Sequence, residues 1–112
     1  MSGITTHILD TSRGRPAAGV RVTLEIQRAG DTWDTVGSAV TNDDGRVSDM
    51  THGKPEAGVH RLRFDVGEYF ATLGVETFSP RVEITFLIKN AGEHYHVPLL
   101  LNPFGYTTYR GS

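Results

Sequence analysis

Apolar and polar residues alternate along most of this chain with a period of two, the spacing of a strand with one buried face. Val20, Val22, Leu24 and Ile26 are interleaved with Arg21, Thr23, Glu25 and Gln27. His60, Leu62, Phe64 and Val66 alternate with Arg61, Arg63 and Asp65, and Val82, Ile84, Phe86 and Ile88 with Glu83, Thr85 and Leu87. Less regular runs predict further strands at 4–10, 33–41, 95–101 and 106–111. Turn chemistry separates them: Gly14-Arg15-Pro16, Ala29-Gly30-Asp31, Asp43-Asp44-Gly45 and Asn102-Pro103-Phe104-Gly105. One helix is predicted, over 67–74, where Tyr69, Phe70 and Leu73 share a face. Many short strands with regular turns point to an all-β sandwich or barrel. A length of 112 residues suits a single domain, 1–112.

The predicted strands differ on the faces they turn away from the core. Those around Val22, Phe64 and Ile84 present charged and polar residues, an ordinary solvated face. In the run 95–101, Tyr95, Val97, Leu99 and Leu101 share the inner face, so His94, His96, Pro98 and Leu100 point outward. In the first strand His7 and Leu9 point outward opposite Thr6 and Ile8, and in the last one face carries Thr107, Tyr109 and Gly111. Such a mixed surface marks an interface or a binding cleft. Tyr106, Thr108 and Arg110 make a poor inner face, which places the last strand at a sheet edge.

Composition narrows the function classes. A net charge of −2 with both signs interspersed gives no reason to expect nucleic acid or an anionic membrane as partner. With no cysteine there is no disulfide, no thiolate nucleophile and no cysteine-based zinc site. No apolar run approaches the roughly 20 residues of a membrane helix, and no secretory leader is visible, so a soluble cytoplasmic protein is expected. Motifs for acyl-enzyme, nucleotide or dinucleotide chemistry are absent from the sequence.

The candidate chemistry lies in imidazoles and a guanidinium. His94 and His96 form an H-x-H pair on one strand face and, with His7, have the ligand types of a three-histidine zinc site. The metal-free alternative makes His7 and His96 general base and acid, because imidazole titrates near neutrality. A third reading leaves them as polar residues of a sheet edge. Arg46 follows the Asp43-Asp44-Gly45 turn, where a guanidinium can clamp a planar oxyanion; the plainer alternative is a solvated arginine. Arg13 and Arg15 have only their turn to recommend them, Asp10 is placed to cap its loop, and His52 and His60 read as structural or surface residues.

Two segments carry a resemblance. The chain opens with Thr6-His7-Ile8-Leu9-Asp10-Thr11 and Gly14-Arg15-Pro16-Ala17. It closes with Tyr95-His96-Val97-Pro98-Leu99-Leu100-Leu101, Asn102-Pro103 and Tyr109-Arg110-Gly111-Ser112. These resemble the two signatures of the transthyretin-related family, and the similarity runs through Trp33, the Asp44-Gly45-Arg46 turn and a short helix at 69–74. That family comprises transthyretins, which carry thyroid hormone, and 5-hydroxyisourate hydrolases; the closing Y-R-G-S resembles the hydrolase branch.

The resemblance implies a transthyretin-like sandwich of about eight strands in two sheets with one short helix, and a homotetramer. It implies hydrolysis of 5-hydroxyisourate, a product of urate oxidation in purine breakdown, to the ureidoimidazoline carboxylate. His7, Arg46, His96 and Ser112 match the catalytic positions, and His7, Arg46, Tyr109, Arg110 and Gly111 those that bind substrate. Either histidine can be the base. Hydrolysis moves no electrons, so no cofactor is expected, and no carboxylate clearly offers second-shell support to a zinc ion, so no metal is expected either. The alternative within the family is a carrier of small molecules without catalysis.

Overall fold

The computed structural model describes residues 3–51 and 55–112. Nine strands and one α-helix lie in these residues. They are β1 (Gly3–Asp10), β2 (Arg15–Pro16), β3 (Arg21–Gln27), β4 (Trp33–Val40), β5 (Arg46–Val47), β6 (Gly58–Phe64), α1 (Val66–Thr72), β7 (Val82–Ile88), β8 (His94–Asn102) and β9 (Gly105–Thr108). One sheet runs β2-β1-β8-β9, with β5 paired to β1; the other runs β4-β3-β6-β7. The sequence pattern therefore has the right strands and class, with two extra strands of two residues each.

The alternating residues meet between the sheets. Val20, Val22, Leu24, Leu62, Phe64, Leu99 and Leu101 are at most 1% exposed, as are Ile4 and Ile8. Burying each such side chain is worth about 1.5–3 kcal/mol, the main term holding the sheets together. The pairing that matters most for the site is parallel: β1 lies beside β8 in register from Gly3↔His94 through Asp10↔Leu101. It joins segments some 90 residues apart and brings Thr5 opposite His96 and His7 opposite Pro98.

Three expectations are corrected. The helix begins at Val66, and Val66, Tyr69 and Phe70 form its buried face while Leu73 is 37% exposed. Val66 looked like the end of a strand because it continues the period of two; its spacing to Tyr69 and Phe70 is equally that of one helix face. The outer face of the four-stranded sheet is less solvated than its charges suggested. Glu25 is buried there, accepting a 2.9 Å bond from Arg61, whose guanidinium also lies 4.1 Å over the Trp33 ring. The last strand stops at Thr108, and its backbone pairs with β8 again at Gly111, in an isolated bridge to His96. That register sets Tyr109 against Pro98, which has no N–H to continue the ladder.

Asp10 does cap its loop. Its carboxylate is fully buried and accepts from the N–H and hydroxyl of Ser12, while its other oxygen takes the Tyr69 hydroxyl at 2.8 Å. His60 is a core residue. It is 1% exposed, has Nδ1 3.0 Å from the Gly58 carbonyl, and packs on Phe86. His52 lies outside the described residues.

Burial holds the His60 pKa below its ordinary value of 6.5. The unfolded chain takes up a proton as pH falls through that value and the native state does not, so stability declines on the acid side. His96 acts in the same direction. Melting temperature should be flat from about pH 8 to 7 and fall between about 6.5 and 5. His60→Gln should flatten part of that slope, and an unchanged slope would show that the buried imidazole is not its source.

Candidate active site

The outer face of the β1–β8 sheet gathers Thr5 and His7 from β1, Arg46 from β5, and His94 and His96 from β8. The alternation that buries Ile4, Thr6 and Ile8 turns Thr5 and His7 outward, and the one that buries Tyr95 and Val97 does the same for the two histidines. Arg46 pairs with His7 across β5 and β1, so the two share a face.

A tight turn delivers Arg46. Asn42 Oδ1 accepts from the backbone N–H groups of Asp44 (2.9 Å) and Arg46 (3.0 Å), and the Asn42 carbonyl accepts from Gly45. Gly45 has φ +73°, and a Cβ there would stand 2.4 Å from the Ile8 carbonyl oxygen. Only glycine fits this close approach of the turn to β1. The Gly45 carbonyl in turn accepts from Ile8 N–H at 2.8 Å, fixing the base of the arginine to the strand that carries His7.

A cleft of about 370 Å³ opens on this face, walled by Thr5, Arg46, His94, His96 and Ser112, with Asn42, Thr6, Val47 and Ser48 around them. Thr5 Oγ1 lies 2.8 Å from His96 Nδ1 and 3.1 Å from His94 Nε2. The two rings are nearly parallel, 13° apart in plane, with centroids separated by 6.4 Å. Burial holds His96 below the ordinary histidine pKa, and the fields of His94, Arg46 and His7 lower it further. His96 is therefore a neutral imidazole at neutral pH, the form able to accept a proton or to donate a hydrogen bond without charge.

The expected tail residues divide. Ser112 reaches the cleft, and Gly111 donates its N–H to the His96 carbonyl at 2.7 Å. Arg110 turns to Glu93, at 2.9 Å, and lies 4.3 Å over the Tyr95 ring. Tyr109 and Arg110 line a different, largely apolar cavity of about 440 Å³ between the sheets, beside Ile84, Phe86, Tyr95 and Val97. His7 lies on the cleft's face beyond its immediate wall. Pattern reading missed Thr5 and Asn42. Thr5 gave no signal beyond its place on the outward face of the first strand; Asn42 had a weak one, as an Asx residue starting a turn. Among the described residues no group of three His, Asp or Glu side chains is placed to hold a metal ion. Thr5 engages one ring nitrogen of each of His94 and His96, Nε2 of the first and Nδ1 of the second.

The architecture is a two-sheet sandwich with an imidazole–guanidinium cleft on the outside of one sheet. The chain belongs to the HIUase/Transthyretin family, whose model matches residues 4–111. It is 47% identical to a 5-hydroxyisourate hydrolase of Halalkalibacterium halodurans, over the whole of both chains. Among solved structures it is similar to the 5-hydroxyisourate hydrolase of Klebsiella pneumoniae, with 41% identity, a TM-score of 0.86, and 99% of this chain and 100% of that one covered. It is also similar to transthyretin of Sparus aurata, with 31% identity, a TM-score of 0.92, and 99% and 97% covered. The backbone thus fits both branches, and side chains in the cleft have to decide between them.

Proposed function

We propose that this chain is a 5-hydroxyisourate hydrolase and that the cleft bearing His96, Arg46 and Ser112 is its active site. The observation that carries the site is the meeting of these residues, from segments remote in sequence, in one cleft. The identity of the relatives carries the substrate. A non-catalytic carrier has no use for a neutral histidine held beside an arginine at a polar opening.

Hydrolysis adds water across a cyclic amide. A C–O bond forms, the ring C–N bond breaks, and the water proton ends on the departing nitrogen. One of His7 and His96 takes the proton from water and the other hydrogen-bonds the reacting oxygen or nitrogen. Arg46 holds the substrate oxygens and stabilises the developing oxyanion with two N–H groups of its planar guanidinium. Ser112 orients the water or an imidazole, and Arg110 and Gly111 hold the tail in place; Tyr109, which lines the other cavity, is given no contact with the substrate in this cleft. The chemistry requires neither metal nor cofactor.

The reading includes a cytoplasmic homotetramer in which neighbouring subunits complete the cleft. Supporting it, β7 and β9 are the unpaired edges of the two sheets along one side of the sandwich. Leu87, Tyr106 and Tyr109 are 46–56% exposed there. Such edges favour strand pairing with another copy. Among the described residues no helix is long and apolar enough to cross a membrane.

The test is the absorbance of freshly generated 5-hydroxyisourate. The protein should speed its loss well beyond spontaneous decay, with or without prolonged chelation. No acceleration would overturn the assignment, and zinc whose removal abolishes turnover would overturn the metal-free mechanism.

A further inference from the structure

The Thr5 hydroxyl bridges two imidazoles and carries one proton. It can donate to only one ring and must accept from the other. In the neutral site this locks the tautomers together. If Thr5 donates to His96 Nδ1, His94 donates from Nε2–H and both rings carry their proton on Nε2. If Thr5 donates to His94 Nε2, both rings carry it on Nδ1.

One buried atom chooses between the two. His94 Nδ1 is buried and has no partner among the described residues. In the second arrangement that atom is an N–H with nothing to receive it; in the first it is only an unused lone pair. A buried orphan donor is the rarer and costlier defect. The chain of bonds therefore runs His94 Nε2–H to Thr5, and Thr5 O–H to His96 Nδ1.

We propose that this chain fixes His96 as a neutral Nε2–H donor toward the cleft, with Thr5 and His94 as positioning residues, and thereby assigns the general base to His7. The proposal rests on the hydrolase reading above and divides its labour. His7 takes the proton from water and passes it to the departing ring nitrogen. His96 and Arg46 donate hydrogen bonds to the oxyanion and keep their own protons. The lowered His96 pKa agrees with this role, since a neutral imidazole donates without first having to lose a charge. The groups whose charge reaches His96 are His94 on its own strand, Arg46 on β5 and His7 on β1, and all three disfavour its cationic form.

Imidazole ¹⁵N chemical shifts of the substrate-free protein test this independently of turnover. Above the His96 titration, His94 and His96 should both be protonated on Nε2. Thr5→Val should move the His96 Nδ1 resonance, and Thr5→Ser should restore it. A His96 found protonated on Nδ1, or a Nδ1 shift indifferent to Thr5→Val, would overturn the proposal. In the kinetic arm, kcat of Thr5→Val should fall about 10–100-fold, the loss typical when a residue orienting a functional histidine is removed. KM should stay within about twofold and Thr5→Ser should recover most of the rate. Adding His94→Phe to Thr5→Val should cost little more, because both act through one chain. Multiplying losses, or a Thr5→Val enzyme as fast as wild type, would sink the proposal while leaving the hydrolase assignment intact. A wild-type protein without turnover would sink the assignment, and the ¹⁵N shifts would still decide the tautomer.

Discussion

His7→Ala and His96→Ala should each lower kcat/KM by about 10²–10⁴-fold, the range for losing a positioned acid, base or oxyanion donor. Both residues stand on the outer face of β1 and β8, and neither belongs to the core. Melting temperature should therefore move little, which separates a catalytic loss from an unfolded protein. Arg46→Lys should be nearly as poor, because an ammonium cannot reproduce a planar two-point clamp. Its turn would survive, since Asn42 and Gly45 hold it through backbone N–H groups. A rate within about tenfold of wild type in either histidine variant would place the chemistry elsewhere.

The parts of this site that could be read without a structure are those that depend on alternation. Which side of its strand His7, His94 or His96 occupies follows from its neighbours, because Ile8, Tyr95 and Val97 must be inside. Alternation says nothing about which strand lies beside which. The parallel β1–β8 pairing closes a loop of nearly the whole chain, and no local signal marks it. Family resemblance placed His7 and His96 together, but their register was needed to put Thr5 between two imidazoles. The helix boundary failed for a different reason: Val66 satisfies both periods, and packing against Tyr69 and Phe70 decided between them. Tyr109 was placed on the outer face by continuing the last strand, and Pro98 interrupts that ladder.

Deleting residues 109–112 should abolish measurable turnover while leaving the sandwich folded, because the buried core ends at Leu101. The tail acts on His96 from two sides. Gly111 N–H is bonded to the His96 carbonyl, and its Cα lies so close to the ring that an added Cβ would be 2.6 Å from Cδ2 and 3.2 Å from Pro98 Cγ. Arg110, held by Glu93 and stacked on Tyr95, pins the tail at the start of the same strand. Removing these contacts frees the imidazole on one side and takes Ser112 from the cleft wall. Gly111→Ala is the sharper test, because it keeps every tail group and adds one methyl. The ring cannot absorb the clash by swinging freely, since Thr5 holds Nδ1 at 2.8 Å. A misplacement of about 1 Å in a catalytic group can cost about 100-fold in rate. We expect Gly111→Ala to lose about 10–100-fold in kcat, with a melting temperature close to wild type. Ser112→Ala should lose less than Gly111→Ala if the tail's main task is to seat His96. Both variants and the deletion should be assayed beside a melting curve for each. A Gly111→Ala enzyme with undiminished kcat would mean that the imidazole is set by Thr5 alone and that the tail contributes only through Ser112.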